Sequence, residues 1–226
     1  KKASEAEFDA FEKSYPLKDK SVWVYYPWLD CAYKILKEND FFEILTVRNK
    51  PYVSVEEQYN FYNYNVGVVG LSVGQSSALT IVRSGGSKNI KIADPDIVSP
   101  SNLNRLHLGI GSIGKNKTEQ VKEKLLEINP FTNIIQYDKG VTTENIEKFF
   151  LDKFKLNVVI DACDNIRIKL LIRSFASKYR VPIIMATDVG DGSLIDIERH
   201  DINPNIDPFG GRYKNIKDPE NFLKNI

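Results

Sequence analysis

Asn65-Val66-Gly67-Val68-Val69-Gly70-Leu71-Ser72-Val73-Gly74-Gln75-Ser76-Ser77 is the stretch whose reading decides the fold. Val66 to Val69 has the length and β-branched content of a buried strand, and the small residues behind it spell a tight turn into a helix. That helix closes at Gly85-Gly86, a second apolar strand runs Ile90-Lys91-Ile92-Ala93, and Asp94 stands directly after it. Strand, turn, helix, strand and acid in this order predict a dinucleotide-type crossover, with a phosphate group held over the helix N-terminus. Unpaired backbone N–H groups and the helix dipole favour an anion there. An acid about 20 residues beyond the turn is placed to bind ribose hydroxyls. The glycine pattern is imperfect. Aligned on strand and acid, the positions of G-x-G-x-x-G fall on Gly70, Ser72 and Gln75, with Gly74 displaced by one. Ser72, Gly74, Ser76 and Ser77 are still small enough to let a ligand approach the backbone closely.

The sequence beyond Asp94 narrows the reading. Asp94-Pro95-Asp96-Ile97-Val98-Ser99-Pro100-Ser101-Asn102-Leu103-Asn104-Arg105 sets two acids, an Asn and an Arg behind the second strand. Ile113-Gly114-Lys115-Asn116-Lys117 opens a helix, and Asp161-Ala162-Cys163-Asp164-Asn165 follows a later strand. NAD-dependent redox chemistry has no need of that combination. On these motifs, from Tyr64 to Arg199, the chain resembles the ubiquitin-activating-enzyme-like superfamily of the ThiF, MoeB and HesA type, which adenylates carboxylates with ATP. Pro27-Trp28 to Arg48-Asn49 is similar to an uncharacterised bacterial branch of ThiF-family proteins.

The resemblance implies roles for particular residues. Gly70, Ser72 and Gly74 form the nucleotide turn and Asp94 takes the ribose. Asn102 and Arg105 match an Asn-Leu-x-Arg motif whose Arg lies on the ATP phosphates, as suits its fixed fork of donors. Lys117 corresponds to the catalytic lysine, with Lys115 the competing candidate. Asp164 corresponds to the acid that coordinates Mg²⁺, although an Asp just before Ile166 is also a good helix N-cap. Asp96 reads equally as a turn acid and a site acid. Arg48 resembles an arginine that this family supplies from a second subunit, and a homodimer is expected.

Elsewhere the residues read more simply. Asp161 ends its strand and supports the loop. Cys163 is a small packed residue and Cys31 lies on a helix of the N-terminal appendage. His107 and His200 are surface or loop residues. No cysteine occurs from Met185 to Ile226 and no C-x-x-C anywhere, so neither a thioester step nor the relatives' zinc site is expected.

Composition sets the outer bounds. The 226 residues are 42% hydrophobic and 27% charged, ordinary for a soluble globular chain with one sizeable core. A net charge of +1 and no basic stripe count against a nucleic-acid or membrane surface. Two cysteines outside any disulfide pattern fit a reducing cytoplasm. No apolar run reaches the ~18 residues of a membrane span, and the first residues are no signal peptide. The polar end at Ile226 suggests a chain cut from a longer protein.

Two domains are expected, an α+β appendage over 1–60 and an α/β nucleotide domain over 61–226, the latter a mostly parallel Rossmann-like sheet with helices on both faces. In the appendage, 4–14 reads as a helix, Lys20 to Tyr26 as a strand, Asp30 to Lys37 as a helix, and Ser54-x-x-Glu57 as a capping box. In the larger domain, helices are expected from Lys115 to Ile128, after Thr142 or Thr143, and from Ile166 to Tyr179. Strands are expected at Asn133–Tyr137, Asn157–Ile160 and Val181–Ala186, with an edge strand over Ser193–Arg199. The function that follows is adenylation of a carboxylate on a peptide, a ubiquitin-like protein or a small acid, without a thioester. A tRNA threonylcarbamoyladenosine dehydratase-like enzyme and a non-catalytic nucleotide-binding module are the rivals.

Overall fold

The structure, a computed structural model, describes residues 5–211. It divides into two compact units that part between Gln58 and Tyr59. The first unit holds α1 (Glu5–Ser14), the short α2 (Leu17–Lys20), β1 (Ser21–Tyr26), β2 (Cys31–Leu36) and α3 (Glu38–Thr46). The boundary lies along α4 (Val55–Tyr62). Helix α4 starts on the expected capping box. Glu57 N–H donates to Ser54 Oγ at 3.2 Å and Ser54 N–H to the Glu57 carboxylate at 2.8 Å, which holds Glu57 below its ordinary pKa.

Asp30 to Lys37 is not the expected helix. Residues 31–36 form β2, antiparallel to β1 with Tyr26 opposite Cys31. Ala32, Ile35 and Leu36 have helical spacing, but the Pro27–Asp30 turn reverses the chain and offers the β1 edge as a partner. Asp30 takes a left-handed φ of 49° there, and Tyr25 donates its hydroxyl to the Asp30 carboxylate at 3.0 Å. Long-range pairing overrides a weak local preference. Cys31 therefore sits exposed on a strand, not on a helix.

The second unit carries β3 (Asn65–Val69), α5 (Gly74–Arg83), β4 (Asn89–Ala93), α6 (Lys117–Ile128), β5 (Asn133–Tyr137), α7 (Ile146–Leu151), β6 (Val158–Asp161), α8 (Ile166–Tyr179), β7 (Ile183–Val189) and β8 (Gly192–Glu198). They build one six-stranded sheet in the order β5-β4-β3-β6-β7-β8. The first five strands in that order are parallel, and β8 alone runs antiparallel along the β7 edge. One core cluster packs Leu79 and Val82 of α5 with Val121 and Leu125 of α6 against Val68, Ile90 and Ile92. The other packs Phe149 and Phe150 of α7 with Ile172 and Ala176 of α8 against Val69 and Val159. This is the Rossmann-like sheet with helices on both faces that the sequence predicts. Gly67 sits mid-strand because a Cβ there would meet Leu156 and Phe149 at 2.6 and 2.8 Å.

Two helix starts and one cap differ from expectation: α7 begins at Ile146 behind Asn145 and not on Thr142 or Thr143, α6 begins two residues late, and α8 begins at Ile166 as expected but on a different cap. Helix α6 begins at Lys117 because Asn116 is its N-cap, its Oδ1 accepting from Thr118 N–H at 2.8 Å. Helix α8 is capped by Asn165, which accepts from Arg167 N–H and Ile168 N–H, and not by Asp164. That frees the Asp164 side chain from the capping role.

Candidate functional site

The strand order turns back on itself at β3, which lies between β4 and β6. Loops leaving β3 and β4 diverge from those leaving β6, and a crevice opens at the carboxyl ends, as this topology requires. A cavity of about 610 Å³ occupies it.

Gly70 makes the turn possible. It holds φ at +86°, donates its N–H to Ala93 O at 2.8 Å, and has no room for a side chain. A Cβ there would meet Ala162 O at 2.5 Å and Cys163 N at 2.7 Å. This close approach joins the turn after β3 to the loop after β6. Gly74 continues the contact, since a Cβ on it would lie 2.9 Å from Val68 Cγ1 and 3.0 Å from Ala162 Cβ. Gly74 thus seats the first turn of α5 against the sheet and does not line the cavity.

Asp94, 4% exposed, is the hub of the β4 side. Its Oδ2 accepts from Leu71 N–H at 2.7 Å and its Oδ1 from Asp96 N–H at 2.9 Å. Lys117, also 4% exposed, brings its Nζ to 2.8 Å from Asp96 Oδ2 and 3.7 Å from Asp94 Oδ1. Lys117 N–H donates to Asp96 O at 3.0 Å, so the first residue of α6 is tied to the β4 loop twice. Lys115 is not on the cavity wall; its carbonyl accepts from Val98 N–H.

Arg105 is exposed on the rim. It donates from Nε to Ser72 Oγ at 2.8 Å and from Nη1 to Ser101 O and Asn104 Oδ1 at 3.0 Å. Asn102 is buried behind it. The Asn102 side chain caps the Pro100–Asn102 turn at Ser99, and its carbonyl accepts from the N–H groups of Arg105 and Leu106. Asn102 shapes the segment that presents Arg105 and stays off the cavity. Gln75 explains its own departure from glycine. Fully buried, its Oε1 accepts from His107 N–H at 2.9 Å and braces the Arg105 segment against α5.

On the β6 side, Asp164 is an exposed carboxylate facing the cavity, next to Cys163 and Asn165. Burial, with Asp161 adding its charge, pushes the Cys163 thiol up to about 12, and its S–H donates to Asp161 Oδ1 at 3.2 Å. Among the described residues no group of three or more His, Cys, Asp and Glu could hold a metal ion by itself. A cation here would use Asp164 together with ligand oxygens and water, the ordinary habit of Mg²⁺.

Gly70, Ser72, Asp94, Asp96, Arg105, Lys117 and Asp164 therefore line one cavity, while Gly74 and Asn102 support it from behind. Arg48 is exposed in the first unit, in the Val47–Asn49 turn. Sequence reasoning missed Lys139, Gly140 and Val141, which follow β5 and complete the wall. The rule that located the other loops, position after a parallel strand, would have found them. It also misjudged His200, which is 1% exposed with Nε2 at 3.2 Å from Glu198 Oε2. No helix among the described residues is long and apolar enough to cross a membrane.

Known proteins agree with this architecture. An uncharacterized protein of Mycobacterium tuberculosis is 35% identical over 195 residues, 86% of this chain and 27% of that protein. The tRNA threonylcarbamoyladenosine dehydratase of Bacillus subtilis is 30% identical over 165 residues, 70% of this chain and 64% of that one. The chain thus spans less than two thirds of the length of these relatives. Among solved structures, Escherichia coli tRNA N6-threonylcarbamoyladenosine dehydratase superposes with a TM-score of 0.60 at 24% identity, over 67% of this chain and 62% of that one. E. coli MccB, solved with AMPCPP and MccA, gives 0.54 at 21% identity over 62% and 40%. The ThiF family model matches residues 47–207, and with the sheet order and crevice above it places this chain in the ThiF family.

Proposed function

We propose that the second unit binds ATP with Mg²⁺ in the crevice and adenylates a carboxylate, in the cytoplasm and as a homodimer. One observation carries this reading: Asp94, Lys117, Arg105 and Asp164, distant in sequence, line the same cavity. Its volume falls in the range of small-molecule sites, about 300–1,000 Å³.

The residues fit the nucleotide. Each Asp94 oxygen uses one lone pair on a backbone N–H and keeps one for a ribose hydroxyl. Beyond Gly70, Ser72 and Val73 line the cavity at the start of α5, so the positive end of that helix's dipole faces the place a phosphate would take. Lys117 and Arg105 line the same cavity, Lys117 to draw charge off the departing pyrophosphate and Arg105 to orient phosphate oxygens. Three carboxylates (Asp94, Asp96, Asp164) and three cations (Arg105, Lys117, Lys139) line the cavity, so the protein offers no surplus of positive charge to a triphosphate. A divalent cation held by Asp164 and the ligand's own oxygens would supply the missing charge. In the reaction a carboxylate oxygen attacks the α-phosphorus, the bond to the pyrophosphate oxygen breaks, and an acyl-adenylate and pyrophosphate result. Cys163, its thiol pushed up to about 12 by burial, is a poor nucleophile toward the acyl group. The acid would come from a peptide, a ubiquitin-like protein or a small molecule, and Arg48 of a second copy is a candidate to reach it.

ATP–pyrophosphate exchange with candidate acids is the test. Arg105→Ala, Lys117→Ala and Asp164→Ala are each expected to lower exchange by about 10²–10³-fold, the usual cost of removing one charge-stabilising group. Unchanged exchange in all three would refute the assignment.

A second reading rests on the 30% identity with the Bacillus subtilis tRNA threonylcarbamoyladenosine dehydratase. It uses the same cavity and replaces the free acid with a modified tRNA. Salt-sensitive tRNA binding, with ATP consumption dependent on that tRNA, would favour it over the first.

A further inference from the structure

Behind the loop Ala162–Asn165, which forms one wall of the cavity, lies a buried ion network. Arg173, 2% exposed on α8, sends Nη1 to Asp161 Oδ2 at 2.7 Å and Nε to Glu198 Oε1 at 2.9 Å. Phe209 stacks on its guanidinium at 3.8 Å and donates its N–H to Glu198 Oε1 at 2.8 Å. Asp161 Oδ1 takes Lys169 Nζ at 3.1 Å, Cys163 Sγ–H at 3.2 Å and, more weakly, Cys163 N–H at 3.4 Å.

Stability alone does not account for such a cluster. Desolvating these charges costs about what their attraction returns, and well-packed apolar side chains of the same volume would hold the fold at least as well. What the ions add is geometry. The planar fork of Arg173 fixes two carboxylates at once, a task lysine performs poorly. Asp161 in turn fixes the first residues of the loop, and Asn165 fixes its far end by capping α8, the helix that carries Arg173. The segment bearing Asp164 is pinned at both ends to one rigid element.

We propose that Arg173 is a positioning residue for the nucleotide site: through Asp161 it sets the loop that presents Asp164, and through Glu198 it ties that loop to the end of β8. The inference rests on the ATP reading of the cavity and concerns a residue that touches neither nucleotide nor metal.

Titration calorimetry with ATP, with and without Mg²⁺, tests it well below each variant's unfolding midpoint. Arg173→Gln should weaken MgATP binding by about 10- to 100-fold, as loss of a supporting shell does at metal sites, and weaken metal-free ATP less. Arg173→Lys, which keeps a cation beside Asp161 but cannot hold both carboxylates in one plane, should recover only part of the loss. The double variant Arg173→Gln/Asp164→Asn should bind no more weakly than Asp164→Asn alone. Wild-type MgATP affinity in Arg173→Gln, or strictly additive effects, would overturn the proposal and leave Arg173 a fold residue only. If Arg173→Gln does not fold, Asp161→Asn is measured on the same scale. Hydrogen–deuterium exchange over 161–165 in nucleotide-free protein separates the two levels of the argument. Absence of MgATP binding by the unmodified protein would remove the ATP reading, whereas unchanged loop protection in Arg173→Gln would remove the positioning role itself.

Discussion

Cys163 illustrates how far a single residue can be understood from its neighbours. It lines the cavity, yet burial and the Asp161 carboxylate hold its thiol near 12, so almost no thiolate exists at neutral pH. Cys31 is exposed on β2. Iodoacetamide at pH 7.5 should therefore alkylate Cys31 and spare Cys163 in the folded protein, read by mass spectrometry after digestion; equal labelling of both would contradict the buried-thiol geometry. At this scale the sequence was informative where a residue's role follows from its position after a strand. Asp94 was picked out that way and Arg105, Lys117 and Asp164 by the motifs behind their strands, and all four line one cavity. The sequence was silent where the role depends on a partner distant in the chain. His200, with no second histidine near it in the chain, reads as a surface or loop residue, and only the buried Glu198, paired with Arg173 25 positions away, shows that it is buried. The inward turn of Arg173 among Leu170, Ile172 and Ala176 could not be told from a charged residue on an outer face.

Among the elements, α7 depends on a residue outside itself. Lys91, fully buried on β4, holds Nζ within 2.7–3.3 Å of the carbonyls of Lys148, Phe149, Asp152 and Phe154, at and beyond the C-terminal end of α7, so its three N–H groups are shared among four acceptors. A cation suits the negative end of a helix. Lys91→Met keeps the volume and strands those acceptors, and should cost about 1–3 kcal/mol in denaturant unfolding at neutral pH. Burial, opposed only in part by Asp152, lowers the Lys91 pKa from 10.5 to about 8. Between those values the unfolded chain binds more protons than the folded one, so this group's contribution to stability rises with pH across that window. The same pH series on Lys91→Met should lack that rise. In the sequence Lys91 was only a polar interruption between Ile90 and Ile92. Element type was legible throughout the second unit because its strands are continuous apolar runs and its helices keep their spacing. It failed at β2, where the partner strand decided and the local pattern did not.

At the scale of the whole molecule, MgATP at a hundred times its dissociation constant should add about 2.7 kcal/mol to the stability of the folded state. For a chain of this size that is a rise of roughly 5–10 °C in the unfolding midpoint by scanning fluorimetry. Lys117→Ala should lose the rise, and a shift of the same size in that variant would place the nucleotide elsewhere. Strand alternation alone indicated a parallel sheet, but not the order of its strands, which is fixed by contacts across the chain. That order has a temporal side. The strand that becomes the middle of the sheet is synthesised first, and Asn65 finds its lateral partner Asn157 only 92 positions later. At 5–20 residues per second a ribosome needs roughly 5–18 s to deliver it. Throughout that interval the nascent chain carries one open flank on a strand that ends up buried, and it is then that a chaperone has most to protect.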